Sequence, residues 1–339
     1  MRCLKRIAKG GGAWVPSLFL FACSAVMSIL LTPTVSAESA PDRQIGGVCA
    51  RSRLTTDRPL SLDSHSLSTT NYQLSTTGVS PLKVMPGNGL PVVECRLNGV
   101  KCPLLFDTGA SHTTIDFTFL TNAFPAVKTQ AIAVAGRTNV QAAPQSFRAR
   151  FDFGEGGPDA DEVQLLTIPL ELSASIGTTV HGVLGMDLIG RQPVMVSLSS
   201  AKVVFNPSDL SRFTHFAATD PARGVPVVEC ALEGGGASGK IMIDTGSSLS
   251  FANAKLGWPA DEKPSVQLNV THVNASEALG FRRGKTAALR LGGEIVIELA
   301  PLLDGRPDAY LGADFFRLHD LLLEKGRISI APAAAHAEN

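Results

Sequence analysis

No sign of charge dominates this 339-residue chain: 30 lysines and arginines stand against 30 aspartates and glutamates. A chain so balanced has no global field to draw it onto nucleic acid or an anionic membrane, so nucleic-acid partners are set aside. Long amphipathic helical stretches are also lacking. The seven histidines and the four cysteines after residue 37 fall at none of the spacings that hold a metal, and the glycines at 234–236 lack the following lysine of a phosphate-binding loop. Neither a metal nor a cofactor is expected. Disorder is not expected for most of the chain either, because 44% hydrophobic and 18% charged residues is globular composition, with material for two domains.

The N-terminus is different in texture. Arg2, Lys5, Arg6 and Lys9 precede an apolar run from Ala13 to Leu31, and "TVSA" at 34–37 offers small residues for cleavage. Residues 1–37 therefore read as a signal peptide. The run is also long enough to span a bilayer, so an N-terminal anchor formed by residues 13–31 is the second reading, and a membrane is involved only if the segment stays uncleaved. Either way the protein is expected to be exported, periplasmic or secreted. Residues 38–85 contain few large apolar side chains, and half of residues 61–80 are Ser or Thr, which reads as a leader or linker.

In an oxidising compartment the cysteines outside the targeting segment, Cys49, Cys95, Cys102 and Cys230, could pair in three ways. "VVECRLNGVKCPLL" holds Asn98-Gly99 between alternating residues, the strongest short-range hairpin signal. Counting outward opposes Leu97 to Val100 and Cys95 to Cys102. Opposed strand residues have Cα atoms about 4.5–5.5 Å apart, within disulfide reach. A bridge and two free buried thiols both remain open.

From Gly87 onward short β-rich runs alternate with Gly, Pro and Asn, and the chain repeats itself. "GLPVVECRLNG" at 89–99 returns as "GVPVVECALEG" at 224–234, and "HGVLGMDLIG" at 181–190 returns as "DAYLGADFFR" at 308–317. Between these landmarks each copy runs an apolar strand into Asp-Thr-Gly, "PLLFDTGASHTTID" at 103–116 and "KIMIDTGSSLSFAN" at 240–253. Two homologous lobes follow, 86–207 and 223–332, with a connector at 208–222 and a loose tail at 333–339. One Asp-Thr-Gly is a common turn. Two at equivalent places in a repeat are not easily chance.

This constellation resembles the aspartic proteases, and the short interval between Asp107 and Asp244 resembles the retropepsin-like branch in a single-chain form. The resemblance implies an all-β fold of two homologous β-barrel lobes sharing an active-site cleft. It implies a monomer built as an intramolecular pseudo-dimer, with Asp107 and Asp244 as a catalytic pair hydrolysing a polypeptide substrate. Thr108 and Thr245 would lock the two loops across the axis. Gly109 and Gly246 would let backbone approach the carboxylates, and the Ser247 hydroxyl would donate to Asp244 where Ala110 has none to give. Val183-Leu184-Gly185 and Tyr310-Leu311-Gly312 would thread behind the loops, with Tyr310 in the core. Asp187 and Asp314 are assigned as helix N-caps, and His112 and His181 as supporting or surface residues. Flaps are expected near Gln130–Gln141 and Val266–Gly280. The rival reading is a catalytically silent protein that binds a peptide or protein on the same scaffold.

Overall fold

The computed structural model describes residues 30–32, 53–54, 77–131, 144–153, 159–170, 172–217, 224–233, 237–253, 256–258, 266–272, 275–281, 287–291, 295–299, 308–324 and 326–333. The targeting segment apart from Leu30–Thr32, the leader up to Thr76 apart from Arg53–Leu54, and most of the first expected flap lie outside the described residues. Leu30–Thr32 pairs antiparallel with Asn269–Thr271.

The hairpin signal is realised in the first lobe. Pro91–Leu97 and Val100–Phe106 pair antiparallel with Leu97 opposite Val100 and Cys95 opposite Cys102. Asn98 and Gly99 both adopt positive φ, 48° and 83°, as the favoured two-residue turn requires. Alternation along Pro91–Leu97 buries Val93, Cys95 and Leu97 and leaves Glu94 and Arg96 outward. The second lobe repeats the hairpin with Val227–Leu232 and Ser238–Ile243.

Each lobe then threads a short strand between the strand that enters the Asp-Thr-Gly loop and the one that leaves it. Gly182–Leu184 pairs parallel with Leu105 and Phe106 and antiparallel with Thr114 and Ile115. Ala309–Leu311 pairs parallel with Ile241–Ile243 and antiparallel with Phe251 and Ala252. Tyr310 is buried in the core and stacked on Phe251, as expected of the threading strand. The range of the second expected flap falls on an antiparallel hairpin, Val266–His272 with Ala275–Phe281.

The lobes join through their last hairpins. Val194–Ser197 and Lys202–Phe205 close the first lobe, His319–Glu324 and Arg327–Pro332 the second, and Val194–Val196 pairs antiparallel with Leu321–Leu323. The seam residues Val194, Val196, Leu321 and Leu323 are all buried, each worth about 1.5–3 kcal/mol relative to exposure. Two outer strands complete a six-strand central layer, Gly78–Val84 on Lys202–Phe205 and Thr214–Ala217 on Arg327–Pro332. These two fall within the ranges read as leader and connector. Gly78–Val84 turns Gly78, Ser80 and Leu82 inward, so two of its three buried positions are small or polar and give no apolar alternation to read. The connector is further pinned by Arg212, whose guanidinium lies 2.6 Å from the buried Asp320 carboxylate.

Few helices accompany this sheet. Phe117–Ala123 is capped by Asp116, which accepts from the Phe119 N–H. Among the described residues no helix is long and apolar enough to cross a membrane. The protein is thus mostly β, with two barrel-like sheets, in agreement with the expected two-lobed architecture.

Candidate active site

Asp107 and Asp244 end the strands Val100–Phe106 and Ser238–Ile243, and the central sheet brings these ends together. Their side chains hydrogen-bond to one another, and they are 1% and 2% exposed. Close approach depends on the following glycines. A Cβ on Gly109 would lie 2.5 Å from Asp244 Cγ, and one on Gly246 would lie 2.3 Å from Asp107 Cγ. Each loop's glycine is therefore the floor beneath the other loop's carboxylate.

Two threonines fix the loops by four reciprocal bonds. The Thr108 N–H donates to Thr245 Oγ1 at 3.1 Å and the Thr245 N–H to Thr108 Oγ1 at 3.0 Å. Thr108 Oγ1 donates to the Ile243 carbonyl at 2.7 Å, and Thr245 Oγ1 to the Phe106 carbonyl at 2.8 Å. Each hydroxyl thus acts once as donor and once as acceptor, both times toward the other lobe, and both threonines are fully buried. The resemblance anticipated a cross-axis lock, and the geometry supplies one.

The backbone presents the same pair of donors to each carboxylate. Asp107 Oδ1 accepts from the N–H of Gly109 at 2.8 Å and of Ala110 at 3.1 Å. Asp244 Oδ1 accepts from Gly246 at 3.0 Å and Ser247 at 3.1 Å. Here one expectation is corrected: the Ser247 hydroxyl donates to the Leu249 carbonyl at 2.8 Å, not to Asp244. A hydroxyl has one proton to give, and the nearby carbonyl takes it. Ser247 supports the site through its amide, as Ala110 does, so the expected asymmetry between the lobes at this position is not present.

Burial pushes the Asp244 carboxyl well above its ordinary range, and the charge of Asp107 beside it adds to the shift, while the amides of Gly246 and Ser247 oppose it. Two carboxylates in contact and out of water cannot both ionise cheaply, so they hold a proton between them and titrate as a pair.

Behind each loop stands a second carboxylate, and here the assignment as N-caps is overturned. The caps of Met186–Ile189 and Ala313–Phe316 are Gly185 and Gly312, and neither cap residue makes a side-chain bond. Asp187 lies one position inside its helix and accepts from both Thr113 N–H and Thr113 Oγ1 at 2.7 Å. Asp314 accepts from Ser250 Oγ at 2.7 Å and from the Phe315 N–H at 2.9 Å. The hydroxyls are shared, since Thr113 Oγ1 accepts from the Gly185 N–H and Ser250 Oγ from the Gly312 N–H. In both lobes a hydroxyl distant in sequence reaches the carboxylate, beside the local Phe315 amide in the case of Asp314, tying the threading strand to the strand that leaves the loop. Burial raises both carboxyls above their ordinary range.

Thr113 and Ser250 were missed by the sequence reading. The signal was a hydroxyl-bearing residue at the same offset, six positions after each Asp-Thr-Gly aspartate. Glycines 185 and 312 are equally constrained: a Cβ would lie 2.5 Å from the His112 and Leu249 carbonyl carbons respectively. His112 meets Ser111 Oγ through Nδ1 at 2.7 Å. His181 stacks on Phe119 and makes backbone bonds to Pro103 and Asp116, and burial lowers its pKa. Among the described residues no group of three or more His, Cys, Asp or Glu side chains is arranged to hold a metal.

Residues 93–188, which include the first Asp-Thr-Gly loop and the first threading strand, match the family model described as aspartyl protease. No curated protein matches the chain. Among solved structures, the chain is similar to the aspartic proteinase from Irpex lacteus at 13% identity, covering 76% of this chain and 98% of that one with a TM-score of 0.42. It is similar to basic 7S globulin from soybean at 10% identity, covering 78% and 96% with a TM-score of 0.43.

Proposed function

We propose, from the premise that this two-lobed β chain is of the aspartic protease kind, pepsin or retropepsin, that it is an exported endopeptidase acting on extended polypeptides. The observation that carries the reading is the direct contact of Asp107 and Asp244, buried and held by mirrored loops. A water seated between the two is deprotonated by the ionised partner as it attacks the peptide carbonyl. The protonated partner donates to the developing oxyanion and later helps protonate the leaving amine. Each carboxylate is held through Oδ1 by two amides, which fixes its orientation before substrate arrives. Export rests on the basic and apolar N-terminal segment alone.

Peptide-library cleavage across about pH 3–8 tests the reading, with Asp107→Asn and Asp244→Asn alongside. The wild type is expected to cut, with a bell-shaped rate profile that falls where the shared proton is lost and where both groups are protonated. Each Asn variant is expected to be inert with an unchanged fold. A folded wild-type chain that binds peptides without cutting them, also after removal of the leader, would move the assignment to a silent peptide-binding protein.

A further inference from the structure

The first-lobe hairpin carries two cysteines that hydrolysis does not use. Its register sets Cys95 directly opposite Cys102, two steps out from Leu97 and Val100, which flank the turn. In a two-residue hairpin the pair flanking the turn, and so the pair two steps out, is of the hydrogen-bonded class, with Cα atoms about 5.5 Å apart, near the commonest Cα separation for a disulfide. Both side chains are fully buried, and they are not bridged.

The internal repeat supplies a control. Cys230 occupies the place of Cys95, in "PVVEC" again, but the residue opposite it is Gly239. A side chain there would displace its neighbours, since a Cβ would lie 2.6 Å from Leu256 Cδ2 and 3.0 Å from Asp308 Oδ2. The first lobe therefore holds a second thiol at a cross-strand position where the second lobe has glycine.

We infer that Cys95 and Cys102 join in a cross-strand disulfide as the chain folds in an oxidising medium, and that a chain folded while reduced is closed to the same reaction. The oxidant is a disulfide donor, small-molecule or protein. One cysteine thiolate attacks a donor sulfur and releases a donor thiolate, leaving a mixed disulfide. The other cysteine thiolate attacks the protein-side sulfur, forms the bridge and releases the second donor thiolate. The donor thiolates take up the two protons, and the two electrons have reduced the donor. In the open chain both thiols have ordinary reactivity. In the folded chain burial pushes the Cys102 thiol up to about 12 and Cys95 well above its usual value, the latter raised further by Cys102, Asp152 and Glu94. Neither sulfur has a surface for a donor to reach. The hairpin thus records the medium in which it folded, in a strand that runs straight into Asp107.

The sequence makes the test direct, because Arg96 and Lys101 put tryptic cuts between the two thiols. The full chain is denatured, reduced and refolded either in a glutathione redox buffer, or under reduction and then moved to that buffer; free thiols are alkylated and peptides weighed. The first arm should yield peptide 84–96 linked to peptide 102–128, lost on reduction, and the second arm should yield both cysteines alkylatable after denaturation. Both cysteines alkylated in the first arm, or either linked to Cys49 or Cys230, overturns the pairing. Linkage appearing equally fast in both arms overturns the closure. Chain isolated from an oxidising export compartment gives the same readout if dilution refolding fails. Every outcome is a peptide mass, independent of whether the protein hydrolyses peptides.

Discussion

Replacing Thr108 by valine keeps the side-chain volume and deletes one hydroxyl, which removes two bonds across the lobe axis. Lost are the donation to the Ile243 carbonyl at 2.7 Å and the acceptance from the Thr245 N–H at 3.0 Å. Ile243 and Thr245 are fully buried, so each orphaned backbone group costs about 1–3 kcal/mol, about 2–6 kcal/mol together. Water admitted between slackened loops brings the loss toward the lower figure. Even that is a large share of the roughly 5–15 kcal/mol that holds a typical protein folded. At roughly 2–4 °C per kcal/mol for 150–250 residues, a loss of about 2 kcal/mol lowers Tm by roughly 4–8 °C. Thr108→Ser keeps the hydroxyl and deletes only a methyl, which should cost about 0.5–1.5 kcal/mol. Urea unfolding of parent and both variants, with linear extrapolation to water, compares them. A valine variant as stable as the parent beside a damaged serine variant would refute the reasoning, because methyl packing and not hydrogen bonding would then hold the loops. Thr245→Val breaks the mirror-related pair and should cost a similar amount.

Gly246→Ala separates geometry from backbone strain, since Gly246 is not at positive φ but its Cβ would sit 2.3 Å from Asp107 Cγ. The carboxylate must move by about 1 Å, and peptide-cleavage kcat should fall about 10²-fold with circular dichroism unchanged; full activity would contradict the close approach. Ser247→Ala should leave the position of the pH-rate profile unmoved, because the lost hydroxyl bonds Leu249, and should cost about 1 kcal/mol of stability; an acid limb shifted upward would show that the hydroxyl reaches Asp244 after all. Asp314→Asn tests the sign of a raised carboxyl. Because its folded pKa is raised, its stabilising contribution is complete below about pH 4 and is lost as pH rises through the folded value. The variant's stability should therefore vary less from about pH 4 to pH 7, and a urea series parallel to that of the parent would sink the argument.

What was legible in the sequence was whatever repeats or carries a turn rule. Asn98-Gly99 dictates a two-residue turn and so a register, and the doubled Asp-Thr-Gly dictates a symmetric meeting of loops. Gly78–Val84 was not legible, because Ser80 enters the core by donating to the Phe153 carbonyl at 3.2 Å, and a polar residue satisfied from elsewhere leaves no apolar signature. Asp187 and Asp314 misled for a related reason. Each sits at the start of a helix, where a local cap is the default, but a hydroxyl from a strand distant in sequence lies within reach. Ser247 shows the same limit, since composition reveals a donor and only geometry reveals its acceptor.

The antiparallel seam between Val194–Val196 and Leu321–Leu323 joins like to like across an approximate twofold axis. Two identical chains could make such a seam, but identical chains must carry identical halves. Tethered in one polypeptide, the halves are released from that obligation and can drift apart residue by residue. The outcome is already visible where Ala110 stands in one half and Ser247 in the other, His112 stands where the other half has Leu249, and Cys102 stands where it has Gly239. A single covalent connection turns a symmetric pair into one with two distinguishable halves, and under the proposed function a peptide held by both would have a reason to prefer one direction over the other.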